Sequence, residues 1–405
     1  MATKNNSGAW IIVAFFTLFM MIMTFNLIVF PACAVDTMQT YGIEQAGLTT
    51  LSSVTSVVGL FAGLIFGPML DKIGSRKTIM IAMIIGVVLF YVRAFTVNYT
   101  AVVALTFLAS FFVGVCQVSA AKVLDTWFTK DKVSVAFSFQ AGGAGIGSAG
   151  AFIIGAALGL HNCLLLIAVA YTILLVLWLI VGKDGPISSA NTAPPAGGAA
   201  MVYKSSYIWL LSVACSCAVG GTLLINTYCI NAFLSKGLDP SGAAMMGTVI
   251  NLSLLFGGYL GTFIMNAIKR YNVCTILFFV CGAIGYCLAW FTPLGINTWI
   301  FMIFGGLLIG NAIGVCSGRT PLVPLTGQFP QECIGTAAGA LETIKGAITF
   351  VFPIIIANVF GTNFNAIFIT FAIVCLIGLI TGGLMIPELG PRGKLQQEAA
   401  TKQQQ

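Results

Sequence analysis

Lys345 and Glu342 stand three residues apart within the apolar run 334–360. At that spacing they share one face of a helix. An ammonium roughly ten residues into such a run must face a polar cavity or hold a partner, because burial at mid-membrane depth costs about 2.5–3.5 kcal/mol on insertion scales. Two readings are open for the pair. In one, Lys345 attracts an anion and Glu342, able to take up a proton, modulates it. In the other, the charges neutralise each other and pin the helix. We carry the first forward, since ionisable groups inside apolar spans mark sites by default. Around the pair stand uncharged polar residues in other apolar runs: Asn26, Gln117, Gln140, Asn226, Tyr228, Asn251 and Asn311. Amides offer donors and acceptors together, and each can equally serve as interhelical glue. They are expected to line a cavity as a group.

Other chemistry is excluded by what is missing. There is no His-Glu-x-x-His, no Gly-x-Ser-x-Gly and no Gly-x4-Gly-Lys-Ser/Thr in the chain, so neither a metalloprotease-type nor a hydrolase-type centre nor a nucleotide-phosphate loop is expected. Cys215 and Cys217 have no His or second Cys pair near them. Nearly all twelve cysteines fall inside apolar runs and read as small packing residues. We expect no cofactor and no metal. His161, the single histidine, is expected at the surface of a loop.

The medium that positions these residues follows from composition. Of 405 residues 59% are hydrophobic and only 7% charged, against about 25% charged in an ordinary soluble domain. Lipid must be the solvent for most of the chain. The net charge of +7 sits in short loops without interleaved aromatics, so it reads as a topology signal and not as a nucleic-acid surface. The first apolar run, from about Trp10, is too long for a signal-peptide core and lacks a small-residue cleavage site.

Twelve spans are expected, near 9–36, 45–67, 78–97, 100–124, 135–159 and 162–182, then 206–234, 241–266, 273–292, 297–319, 334–360 and 364–386. The fold class is therefore all-α membrane protein, with two pseudo-symmetric six-helix bundles, 1–182 and 206–391. Residues 183–205, rich in Pro, Gly and Ser, read as a cytoplasmic linker, and 392–405 as a disordered cytoplasmic tail. With an inside amino terminus, thirteen basic residues (Lys4, Lys72, Arg76, Lys77, Lys130, Lys132, Lys183, Lys204, Lys269, Arg270, Arg392, Lys394 and Lys402) fall inside and only Lys236 outside. Arg93, Lys122, Arg319 and Lys345 fall within or at the edge of spans. Both termini are thus expected in the cytoplasm. The halves also echo each other: at an offset of 195, Glu44 meets Asp239 and Asp71 meets Asn266; at 201, Asp131 meets Glu332 and Gly145 meets Gly346. Such duplication is common in transporters.

Between the second and third spans runs Gly67-Pro68-Met69-Leu70-Asp71-Lys72-Ile73-Gly74-Ser75-Arg76-Lys77. Gly67 and Gly74 allow close approach and a tight turn, Asp71 can cap a helix or pair with a base across the two halves, and Arg76 and Lys77 hold the loop at the anionic leaflet. This loop resembles the signature loop of the major facilitator superfamily, and the likeness extends over the whole chain in span count, linker and loop position. The equivalent loop of the second half, Asn266 to Arg270, has Asn266 in the acidic place. Trp127-Phe128-Thr129-Lys130-Asp131-Lys132, followed by Ala136, Gly142 and Gly145, is similar to the monocarboxylate and oxalate:formate branch. That resemblance aligns Lys345 with a span-eleven lysine of the oxalate:formate antiporter, while Gly258 stands where that family has a second cation. One basic group suits one carboxylate.

The resemblance implies a secondary transporter for a small organic anion, a monocarboxylate by preference, working by alternating access, with a proton or counter-anion as coupling partner. It implies a monomer in a prokaryotic-type cell membrane, and spans one, four, seven and ten lining the cavity. Two alternatives stand beside it. One is a proton-coupled exporter of drugs or other amphipathic compounds, disfavoured because Ser110 follows Leu108-Ala109 where such exporters carry an arginine. The other is a transporter-like membrane sensor. Lys122 and Asp125 are expected to form a solvated pair, Arg93 to snorkel toward the outer face, and Arg319 to belong to an inner gate or interface. A reporter fused after Gln405 is expected to register the cytoplasmic side; an outward reading would break the span count.

Overall fold

The computed structural model describes residues 6–57, 74–128, 130–183, 197–330 and 333–393. These stretches are predominantly helical, as they must be where no water is available to backbone N–H and C=O groups. In order, the helices are α1 (Asn6–Ala32), α2 (Ala34–Tyr41), α3 (Gln45–Val54), α4 (Ser75–Ala94), α5 (Tyr99–Trp127), α6 (Lys130–Val181), α7 (Gly198–Lys204), α8 (Ser206–Ser235), α9 (Pro240–Ile268), α10 (Tyr271–Phe291), α11 (Ile296–Ser317), α12 (Ile334–Phe360) and α13 (Phe364–Leu379). Ten of the described helices are long and apolar enough to cross a membrane.

The twelve expected spans map onto these elements. The apolar part of α6, Gly142–Val181, has 40 residues. That is about 60 Å of helix, twice the roughly 30 Å of bilayer hydrocarbon. It breaks at Gly159, whose φ of 72° is non-helical, and so supplies the fifth and sixth spans. Asp36, just after α1, holds the break: its Oδ2 accepts the Leu160 N–H at 3.3 Å, giving the restarted helix an acceptor from another segment. The second span is described from Gln45 to Val57; its remainder lies outside the described residues. Within the linker, Gly198–Lys204 forms a short helix, because this piece lacks the prolines that precede it.

Helix starts use short polar side chains. Asn98 accepts from Ala101 N, Ser205 from Ile208 N and Asn363 from Ala366 N, each satisfying an otherwise orphaned donor. At the other end of α10, the Lys236 ammonium donates to the carbonyls of Trp290 and Thr292 and lies 4.7 Å from the Trp290 ring. A cation at a helix carboxyl end meets the negative pole of the dipole. Burial holds this ammonium below the ordinary lysine pKa.

The chain divides into two compact units, Met1–Asn191 with Pro240–Thr248, and Thr192–Asp239 with Val249–Gln405. In the first, α1 packs along α6, and α4 along α5 and α6. In the second, α8 packs on α12 and α13, and α10 on α11 and α13. The cysteines are reduced, ten of them buried and two half-buried, as expected for packing residues. With lipid outside, apolar surface gives little drive for one helix to join another, so close backbone approach and interhelical hydrogen bonds do the work. A β-carbon on Gly147 would collide with the Met21 carbonyl, one on Gly257 with the Leu307 carbonyl, and one on Gly310 with the Leu254 carbonyl. Nearby, Thr24 Oγ1 donates to Ala144 O at 2.8 Å, tying α1 to α6.

These contacts set an expectation. Gly147→Ala and Gly257→Ala should each lower stability by about 1–3 kcal/mol through overpacking. Gly150→Ala, whose β-carbon meets nothing within 4 Å, should be neutral or mildly stabilising. Thermal unfolding in detergent checks this; equal losses at all three positions would contradict close packing as the cause.

Candidate functional site

Lys345 and Glu342 project from the same face of α12, as their spacing requires. Lys345 Nζ donates to Glu342 Oε1 at 2.5 Å. The two side chains are 20% and 42% exposed, so the pair is open on one side and is not sealed in the helix core. It lies beside α8: Gly220 on that helix faces Thr349, one turn beyond Lys345, and the Cys215 thiol on α8 is within electrostatic reach of both charges. Thr349 returns its own hydroxyl to Lys345 O at 2.8 Å and so competes for neither charged group. The ammonium has three protons to donate, and among the described residues Glu342 is its side-chain acceptor. Such a lysine can accept an incoming anion without breaking any further contact.

The amides fall into separate places. Asn226 on α8 and Asn251 on α9 bond reciprocally, Asn226 Nδ2 to Asn251 Oδ1 at 3.3 Å and Asn251 Nδ2 to Asn226 Oδ1 at 3.0 Å. Tyr228, two residues along α8, is buried with its ring edge-on to Phe364. Asn311 on α11 is fully buried, its carboxamide lies over Gly261, and neither its oxygen nor its nitrogen has a hydrogen-bond partner among the described residues. In the first unit Gln117 is half-buried and Gln140 buried. Asn26 is buried and accepts from Arg93. The structure therefore joins Lys345 with Glu342 and Asn226 with Asn251.

Of the signature loop, Gly67 and Asp71 lie outside the described residues. Gly74 precedes α4 with φ 87°, a conformation that glycine adopts without a side-chain clash. Arg76 and Lys77 are exposed, and Trp178 Nε1 donates to Arg76 O at 3.2 Å, fastening the start of α4 to the end of α6. The side chains of Lys122 and Asp125 also lie outside what is described.

With this geometry in hand, the comparisons decide the family. Residues 11–353 match the Major Facilitator Superfamily. The chain belongs to that superfamily. Its fold is shared with a solved bacterial homologue of the human lysosomal transporter Spinster. The inward-facing, unoccupied form of that protein aligns with TM-score 0.74 and 13% identity over 94% of this chain and 96% of the other. The inward-facing, occupied form gives 0.76 and 11% over the same shares. At these identities the likeness concerns the fold alone. No curated protein sequence matches the chain.

Three residues of this superfamily member join segments far apart in the chain. Arg93, expected to snorkel, is fully buried instead. It sits near the last turn of α4, where Phe30 and Phe90 lie 5.4 and 4.8 Å from its guanidinium carbon and Nη2 reaches Asn26 Oδ1 at 2.7 Å. A charged hydrogen bond of about 1.5–3 kcal/mol and aromatic faces worth about 0.5–2 kcal/mol offset the cost of leaving water. Arg319 is also fully buried: Nη1 donates to Gly382 O at 2.6 Å and Nη2 to Thr275 Oγ1, joining α10 to the π turn Ile380–Leu384 that ends the last span. Glu388 holds the start of α10. Its carboxylate accepts Tyr271 N at 2.8 Å, Asn272 N at 2.9 Å and Gly390 N at 2.7 Å, which places a negative charge on the positive end of α10. Asn272 Nδ2 to Ile386 O and Arg392 N to Lys269 O complete the clasp. The second-half loop, lacking an acidic residue at Asn266, is thus held by a carboxylate 117 positions further on.

Glu388→Ala should cost about 1–2 kcal/mol, in the range of lost helix caps. Thermal unfolding in detergent, with hydrogen exchange at Tyr271 and Asn272, checks it; protection unchanged at those amides would show that the clasp holds nothing.

Proposed function

We propose that this member of the superfamily carries a small organic anion, a monocarboxylate by preference, across the cell membrane, with Lys345 as its ligand. The observation that carries the reading is the open Lys345–Glu342 pair, 2.5 Å apart well inside α12. A lone ammonium there would be costly; one held by a carboxylate and exposed on one side is kept charged yet exchangeable. An arriving carboxylate competes with Glu342 for the ammonium. Protonation of Glu342 releases Lys345, so a proton and an anion travel in the same direction. One cation suits a single carboxylate, and alternating access exposes the pair first to one side of the membrane and then to the other. Asp71, Gly67, Gly74, Arg76 and Lys77 act in the conformational exchange. Asn226, Tyr228, Asn251, Asn311, Gln117, Gln140 and Asn26 supply polar lining or its support. Both termini face the cytoplasm, and the monomer is the working unit.

Uptake of labelled carboxylates into proteoliposomes, with and without a pH gradient, tests this. Lys345→Gln should abolish binding and uptake. Glu342→Gln should keep binding and lose its pH dependence. If each single substitution fails and the double one restores normal uptake, the pair is structural and the anion binds elsewhere.

A further inference from the structure

Buried polar atoms without a partner lie on α4, α5 and α6 of the first unit. Arg93 Nε and Nη1, Thr106 Oγ1, Ser110 Oγ and the Tyr171 hydroxyl are all buried without a hydrogen-bond partner among the described residues. Their placement follows from the packing. Helices α4 and α5 run antiparallel, with Gly86 against Val113. Seven residues toward the connecting turn on each helix, Arg93 comes level with Thr106, and Ser110 lies one turn deeper on the same face of α5. The Tyr171 ring stacks on Phe90 at 4.5 Å, the same ring that the guanidinium covers, and its phenol is within electrostatic reach of Arg93.

All of these atoms can donate a proton, and the guanidinium nitrogens can do nothing else. Asn26 already gives its oxygen to Nη2. Asp36, the acidic residue in the first turn of α2, turns Oδ2 to Leu160 N, and no carboxylate among the described residues bonds to Arg93. Arg93 Nε and Nη1 have no acceptor among the described residues, although the three hydroxyls can accept as well as donate, and the charge of the arginine is not compensated there. Other buried threonines and serines of the first unit, such as Thr49 and Ser52 on α3 and Ser119 on α5, return their hydroxyls to a carbonyl one turn back; Thr106 and Ser110 do not. Water accepts about two hydrogen bonds and brings no charge, whereas a monovalent anion accepts from every donor present and neutralises the arginine.

We propose that Arg93, Thr106, Ser110 and Tyr171 form a site for a halide-sized anion inside the first unit, separate from Lys345. The test uses the purified full chain in detergent, with chloride or bromide replacing gluconate at constant ionic strength. The unfolding midpoint should rise saturably with halide by several degrees. The rise should vanish in Arg93→Met and persist in Lys345→Gln, which separates this site from the transport site whatever becomes of the latter. Thr106→Val and Tyr171→Phe, which keep the charge, should each raise the half-saturating halide concentration about fivefold, the loss expected for one hydrogen bond. Crystals grown in bromide should show an anomalous peak beside Arg93. The proposal is overturned by no halide dependence in the wild type, or by the same dependence in Arg93→Met. If Arg93→Met does not fold, unchanged half-saturation in both Thr106→Val and Tyr171→Phe overturns it.

Discussion

Inside hydrocarbon, a polar group has no water to fall back on, and everything else in this protein follows from that constraint. It forces the backbone into helices, whose hydrogen bonds close within the segment. It also means that apolar surface alone cannot hold helices together, because lipid tails suit leucine as well as another helix does. Association is left to close contact and to polar bonds. The buried glycines Gly147, Gly257 and Gly310 lie directly against neighbouring carbonyls, and Thr24 bonds from α1 to α6.

The same constraint explains why the few interior charges are so heavily engaged. Lys345 has Glu342. Arg319 has Thr275 and Gly382. Arg93 has Asn26 and two aromatic faces. They differ in what remains over. The Lys345 pair is open on one side, which suits exchange with a passing anion; the two arginines are fully buried, which suits a fixed partner. Exposure, more than charge, separates a group that can exchange partners from one that holds the fold.

At the ends of the spans, water returns and so do ordinary caps. Glu388 on the start of α10 and Lys236 on its end place opposite charges at the two poles of one helix, each complementing the local dipole. Both come from other segments, so α10 is bracketed by the chain that precedes it and the chain that follows it. The trans-cap of Asp36 on Leu160 does the same for the sixth span.

The sequence by itself determined the medium, the helical class, the span layout and the superfamily, because these depend on composition, run length and local motif. It also determined the Lys345–Glu342 contact, since three residues along a helix is a local distance. Gly159 was legible as a boundary between two runs, though its role in one continuous element was not. The tertiary structure decided everything that joins distant positions. Arg93 reads as a snorkelling residue because the sequence gives its depth along one helix only; its burial depends on Phe30 and Asn26 from another. Asn226 and Asn251 read as members of one polar group, and only the approach of α8 to α9 makes them a reciprocal pair. Glu388 carried no signal, because its partners Tyr271 and Asn272 are more than a hundred residues away. Periodicity and hydropathy report which face of a helix avoids lipid; they do not report which helix lies against it, and that choice fixes where each buried polar group finds its partner.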